Sequence, residues 1–266
     1  MPGVASFTIL ALLAAGAPEY SSDGVVHAAS YRPGPLAANT FVTIYGKYLS
    51  YVTRSLEAQD IRAGELPTAL PGANVRVRVG PFSAQIVYVS PTQINALVPA
   101  NLVPGPTDLA VFREGVWGPS VKVDLRAAAP GLFLQGPTTV IATHADGSLV
   151  DFANPASPAE TVVLYATGLG ATSPPQEYGR LSTGPDRLSR LDQFRVIVAG
   201  EELDPARIDY AGIAPGFAGL YQINVRLPVS LPPDPEIRLR CGDDWSPSGF
   251  RLPVRSPAQP SGSSVR

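Results

Sequence analysis

Two histidines, His27 and His144, and one cysteine, Cys241, are the residues best suited to hold a metal or act as a nucleophile. They stand far apart, and a structural zinc site needs about four Cys or His ligands at close spacing. His144 adjoins the turn pair Asp146-Gly147 and reads as a solvated turn residue. No Gly-x-Ser-x-Gly elbow, P-loop or dinucleotide fingerprint occurs. "TGLGATS" offers Gly168 and Gly170 but no following helix or acidic residue, so it reads as a turn after a strand. "CGDDW" places Asp243 beside Asp244. A calcium ion wants about six or more oxygens, usually from a patterned loop, and a hairpin turn suits this pair better. Two carboxylates for glycoside hydrolysis can come from distant parts of a chain, so that chemistry stays open. No cofactor is expected.

Aromatic recognition is the other chemistry on offer. Trp117 and Trp245 either pack equivalent hairpins onto their sheets or form platforms for a sugar or a protein partner. Tyr48 and Tyr51 lie in "YGKYLSYVTRS", which reads as a loop, and loops on rigid scaffolds carry recognition. These four residues are the candidate binding set.

The elements that position them are written twice. "YVSPTQINALVP" contains Gln93, Ile94 and Asn95 followed by Pro99, and "LYQINVRLPV" contains Gln222, Ile223 and Asn224 followed by Pro228. "VTIYGKYL" (42–49) matches "VVLYATGL" (162–169), and "VRVRVG" (75–80) matches "FRVIVA" (194–199). Tyr88 corresponds to Tyr210, and "WGPS" at Trp117 corresponds to "WSPS" at Trp245. The landmarks keep one order, so the chain is two copies of a sandwich-sized unit.

Val75-Arg76-Val77-Arg78-Val79 alternates with period two, valines to a core and arginines to water. Ile94, Ala96 and Val98, and likewise Ile223, Val225 and Leu227, take the inner face of their strands. Gln93, Asn95, Gln222 and Asn224 point the other way and are assigned a structural role. The expectation is that Asn95 and Asn224 tie the preceding Pro/Gly-containing loops to the strand, with a pair of equivalent ligand sites as the alternative. The copies diverge in two places. Five positions separate Tyr88 from Gln93, whereas twelve separate Tyr210 from Gln222, and "SPPQEYGRLSTGPDRLSRLD" (173–192) is a long polar loop. Asp146-Gly147 is a hairpin signal between "TTVIAT" and "SLV".

Composition sets the remaining bounds. The 266 residues suit two domains, and 45% hydrophobic content supplies a core. A net charge of −2, with arginines scattered and only two lysines, leaves no basic field for nucleic acid. With 29 prolines and 25 glycines spread along the chain, the pattern is many short strands and turns, an all-β sandwich. "FTILALLAAGA" (Phe7–Ala17) has the length and small-residue ending of a signal peptide, and is too short to span a bilayer. A buried N-terminal helix or strand is the alternative. One cysteine excludes an intrachain disulfide, and in an oxidising setting Cys241 should be buried or unreactive. The expected layout is signal peptide and leader 1–24, first sandwich 25–130, second sandwich with an N-terminal hairpin 131–256, and disordered tail 257–266.

The long motifs "AASYRPGPLAANTFVTIYGKYL", "LPTALPGANVRVRVG", "AAPGLF", "NPASPAETVVLYATGLG" and "YAGIAPGFAGLYQINVRLP", with the first Gln-Ile-Asn stretch, resemble the Solibacter-type C-terminal domain of secreted acidobacterial proteins. The match runs over about residues 25–255. Each half also resembles the immunoglobulin-like transcription-factor/plexin sandwich. The resemblance implies tandem immunoglobulin-like sandwiches and a location at the cell envelope exterior or beyond, with no established activity. The expected function is a secreted, non-catalytic module for adhesion, assembly or accessory binding, not an enzyme. Its partner would be a protein or glycan at the cell surface. A carbohydrate-binding module is the alternative, and an extracellular hydrolase comes third. No transmembrane segment is expected in the mature chain.

Overall fold

The computed structural model of the chain describes residues 16–255. The expected tail 257–266 lies outside the described residues, as does the Phe7–Ala17 segment apart from Gly16 and Ala17. The protein is all-β, two sandwiches in tandem.

The first unit holds β1 (Val25–His27), β2 (Leu36–Ala37), β3 (Phe41–Tyr45), β4 (Arg54–Ser55), β5 (Val75–Val79) and β6 (Phe82–Ser83). It continues with β7 (Gln85–Val89), β8 (Gln93–Leu97), β9 (Gly105–Arg113), β10 (Val116–Trp117) and β11 (Val121–Arg126). One sheet runs β1-β3-β8-β7-β4; the other runs β2-β11-β9-β5-β6, with β10 on β9.

The second unit opens with β12 (Gly131–Leu132), β13 (Leu134–Gln135), β14 (Thr139–Val140), β15 (Ala142–Thr143), β16 (Thr161–Thr167) and β17 (Thr172–Ser173). Next come β18 (Arg187–Leu188), β19 (Phe194–Val198), β20 (Glu201–Glu202), β21 (Ile208–Ile213), β22 (Tyr221–Arg226), β23 (Ile237–Cys241) and β24 (Asp244–Trp245). Its sheets run β12-β16-β22-β21-β18-β17, with β15 on β16, and β20-β19-β23-β24. The Asp146-Gly147 signal sits in the turn that His144 and Ser148 close.

The repeat is a repeat of register. β8 lies between β3 and β7 with Gln93 opposite Tyr45 and Asn95 opposite Thr43 and Tyr88. β22 lies between β16 and β21 with Gln222 opposite Tyr165 and Asn224 opposite Val163 and Tyr210. Each unit bulges just before its tyrosine, between Ile86 and Tyr88 and between Ile208 and Tyr210. A one-residue slip would turn every core side chain outward, so matching bulges keep both cores filled. The period-two reading of β5 holds: its valines are buried and its arginines exposed.

Each sandwich has its own core. Val42, Ile44, Val77, Ile86, Ile94 and Val111 belong to the first; Val162, Leu164, Val196, Ile223, Tyr221 and Leu239 belong to the second. The last stretch of the second unit, Phe250 to Val254, is buried except for Arg251, yet it pairs only through isolated bridges among the described residues. Pro253 has no N–H to give to a ladder.

Residues 16–24, assigned above to the leader, pack on the first sandwich. Glu19 and Lys47 exchange both backbone hydrogen bonds, at 2.9 and 2.8 Å. The Tyr20 hydroxyl accepts from the Val111 N–H at 2.7 Å and donates to the Pro119 carbonyl. In the second unit Gly131 opposes Thr167 in the same way. Ala17-Pro18 thus repeats Ala129-Pro130, a landmark too short to stand out in the sequence.

Candidate functional site

The tryptophans occupy equivalent sites on the outer faces of the two sheets that carry β9 and β23. Trp117 opposes Phe112 across the β9–β10 hairpin, and Trp245 opposes Arg240 across β23–β24. The hydrogen bond that follows repeats as well: Gly118 N–H to Val111 O, and Ser246 N–H to Leu239 O, each at 2.8 Å. Trp117 is 47% exposed and Trp245 44%, so neither ring is buried by its own sheet.

An arginine braces each ring, from a different strand in each unit. The Arg78 guanidinium of β5 lies 4.8 Å from the Trp117 ring centre, and Phe112 packs at 5.2 Å from the same ring. In the second unit the position equivalent to Arg78 is Ile197, and the cation comes from across the ladder. Arg238, directly opposite Ile197, lies 4.6 Å from the Trp245 ring, and Arg240 lies 5.3 Å from it. Glu202 holds Arg240 at 2.9 Å and Arg195 at 2.6 Å. The exposed ring with an adjacent cation therefore recurs although its residues do not.

Tyr48 and Tyr51 sit elsewhere, at one end of the first sandwich, and share no ring contact with either tryptophan among the described residues. They are 46% and 55% exposed. What positions them is Arg113, only 1% exposed. Its guanidinium lies 4.1 Å from the Tyr51 ring centre and donates to the Tyr48 carbonyl at 2.5 Å and the Gly16 carbonyl at 2.7 Å. Tyr48 holds φ at +57°, the left-handed region, where the second unit has Gly168 at +76°. A bulky residue in that region is strained, and such strain clusters at functional positions. Arg113 escaped the sequence reading. The signal was available: Leu109, Val111 and Arg113 alternate, so period two puts a guanidinium on the core face.

The carboxamides do something other than expected. Gln93 Nε2 donates to Asn95 Oδ1 at 2.8 Å, and Gln222 Nε2 donates to Asn224 Oδ1 at the same distance. Side chains two apart on one strand share a face, and the longer Gln reaches its shorter neighbour. The loops are held by other groups: the first by Ser90, the second by its own ends and by Ser182 and Thr167. Ser90 Oγ accepts from the N–H groups of Thr92 and Gln93 at 3.3 and 3.0 Å, and Ala214 N–H donates to Leu220 O at 2.8 Å.

The titratable groups are in structural settings. His27 is buried; its Nδ1 accepts from Ala29 N–H at 3.3 Å, which leaves Nε2 to donate to Ala129 O at 3.0 Å. Burial pushes its imidazole down to about 4, against a weaker upward pull from the Ala129 carbonyl. His144, read above as a solvated turn residue, is half-buried: its Nδ1 meets Glu160 and its Nε2 lies 3.1 Å from Asn154 O. The Glu160 contact raises its pKa. Burial, with a smaller contribution from the charge of Asp244, pushes the Cys241 thiol up to about 12. Among the described residues no cluster of His, Cys, Asp and Glu is arranged to hold a metal ion, and no helix is long and apolar enough to cross a membrane.

No family model matches the chain, and no curated protein matches it either. Solved structures do. The surface glycan-binding protein PbSGBP-B from Prevotella bryantii aligns at 13% identity and a TM-score of 0.28, over 90% of this chain and 43% of that one. The plexin A4 extracellular region aligns at 12% identity and 0.28, over 90% of this chain and 18% of that one. Domains 5–6 of the S-layer protein SbsC align at 10% identity and 0.28, over 90% and 99%. The chain thus spans less than half the length of the first two.

Proposed function

We propose that this chain is a non-catalytic binding module that works outside the cell, in adhesion, assembly or accessory binding, with Trp117 and Trp245 as its contact residues. Export through a cleaved N-terminal segment, and membership of the Solibacter-type module, belong to the same proposal. One observation supports the reading above others: a half-exposed tryptophan, braced by an arginine, at the same place on both outer sheets. Tryptophan and arginine carry most of the energy in recognition surfaces, because a rigid ring supplies area at small entropic cost and a guanidinium supplies directed donors.

A glycan is the favoured partner within this reading. A pyranose ring presents an apolar face to an indole and hydroxyls to neighbouring donors, and Arg78 and Arg238 stand beside the two indoles. A glycan array probed with the protein, and with Trp117→Ala and Trp245→Ala, tests it. Each single variant should lose about tenfold in affinity, about 1.4 kcal/mol, and the double variant should lose binding. Binding that survives the double variant would remove both tryptophans from the site.

A further inference from the structure

The second unit has a cleft where the first unit seats an arginine. The strand registers give the correspondence. Arg113 opposes Val75, and Cys241 opposes Phe194. Following the matched strands, Tyr48 corresponds to Gly168, Tyr51 to Ala171 and Gly16 to Ala128. Arg113 to Cys241, Tyr48 to Gly168 and Tyr51 to Ala171 each remove bulk, whereas Val75 to Phe194 and Gly16 to Ala128 add some. Cys241, Phe194, Ala171 and Ala128 all line one cleft of about 280 Å³, together with Asp243 and Asp244.

We propose that this cleft is a socket for an arginine side chain of a partner protein. The first unit shows what such a site accepts. There a guanidinium stacks on Tyr51 and is held by the backbone carbonyls of Tyr48 and Gly16. In the second unit the arginine and both aromatic rings are gone from these positions; Gly168 O, the counterpart of Tyr48 O, accepts from Ala129 N–H at 2.8 Å, and the Tyr221 hydroxyl donates to Gly170 O. Asp243 enters no ion pair among the described residues, whereas Asp244 is engaged by Arg126 at 2.9 Å. A carboxylate in the lining suits a guanidinium, which binds such groups through a planar fork. Arg190 lines the same cleft and offsets one negative charge. Selectivity for arginine over lysine therefore comes from the shape of the cleft and the planar fork that Asp243 suits more than from net charge. The socket is distinct from the two tryptophan faces, so either proposal can fail alone.

Titration of the full chain with N-acetyl-arginine methylamide, followed by NMR, tests the socket. The lysine and citrulline counterparts serve as controls. The arginine probe should shift resonances of Ala171 and Cys241, and the other two should bind at least about tenfold more weakly. Cys241→Arg supplies the cation from within, as Arg113 does, and should abolish binding while leaving the melting midpoint in place. Should that variant fail to fold, Ala171→Tyr fills the cleft from its edge and should block the probe by itself. Equal binding of the three probes, no binding of the arginine probe, or undiminished binding to a folded blocking variant would each overturn the proposal.

Discussion

In the first unit Tyr88 reaches Gln93 through the tight turn Ser90-Pro91-Thr92; in the second, Tyr210 reaches Gln222 by way of Ala214 to Leu220, and that longer loop touches the first unit. Ala218 packs in a cluster with Leu66 and Leu97, beside Phe41, Val87 and Leu181. Gly219 holds φ at +68° against Leu97, so close that any side chain there would overlap the Leu97 methyl. The Thr167 hydroxyl donates to Gly219 O at 2.7 Å and accepts from Phe41 N–H at 3.1 Å, where the first unit has Lys47. The other divergent stretch, 173–192, does the same. Leu66 N–H donates to Gly179 O and Leu181 N–H to Gly64 O, each at 2.8 Å, making a short antiparallel ladder between the units. The copies keep what holds each sandwich together and differ where they face one another. Leu97 shows the consequence: it lies on the strand face opposite the core, yet is fully buried by the neighbouring unit.

The comparison can be broken hardest at the matched left-handed positions. A Cβ on Gly168 would overlap the Ala129 carbonyl, and the backbone cannot retreat without opening the junction. Gly168→Ala should cost about 3 kcal/mol or more, read as a lower urea midpoint. Tyr48→Gly relieves strain at the equivalent position and should cost less than about 1 kcal/mol. Equal losses in the two variants would mean that the positions are not equivalent.

The histidines sharpen the contrast through pH. His27 is held neutral to about 4, below its unfolded value of 6.5. As pH falls from 6.5 towards 4, the unfolded chain takes up a proton that the folded chain refuses. Stability should drop over that window by on the order of 3 kcal/mol, and His27→Gln should flatten the drop. His144 is raised instead, by Glu160 first. Its contribution is complete below 6.5 and disappears as pH rises through the folded value, so His144→Gln should remove stability on the acid side only. Chemical denaturation at stepped pH reads both signs.

The carboxamide pairs give the smallest expected effect and the closest test of equivalence. Asn95→Ala and Asn224→Ala each remove one half-buried acceptor and should each cost about 1 kcal/mol, equal within a few tenths. A large loss in one alone would restore a loop-tying role on that side.

Much of this was legible in the residues and some was not, for a physical reason. The valines of β5, the Gln-Ile-Asn strands and the matched tryptophans follow from period two and from repetition, because sheet faces are local facts of the backbone. Arg113 was legible by the same rule and was missed because an arginine is assumed to face water. The role of "APGFAGL" was not legible. A Gly-rich loop reads as a turn, and only the distant Leu97 turns it into a contact. The cleft at Cys241 was hidden for a similar reason: it is defined by what the first unit has and the second lacks, and that needs the registers of both. The four candidate binding residues divide among a sandwich end and two sheet faces, which spacing along the chain does not reveal.

Each unit carries one tryptophan, so the claim that the divergent segments join the units can be read directly. Trp117→Phe and Trp245→Phe leave a single reporter in the second and first unit respectively. Urea unfolding followed by fluorescence should give coincident midpoints for the two reporters in the otherwise native chain. Leu97→Ala, which empties the contact under Ala218 and Gly219 and should cost about 2–3 kcal/mol, should pull those midpoints apart. Midpoints already separate before Leu97 is changed, or still coincident after it, would contradict the account.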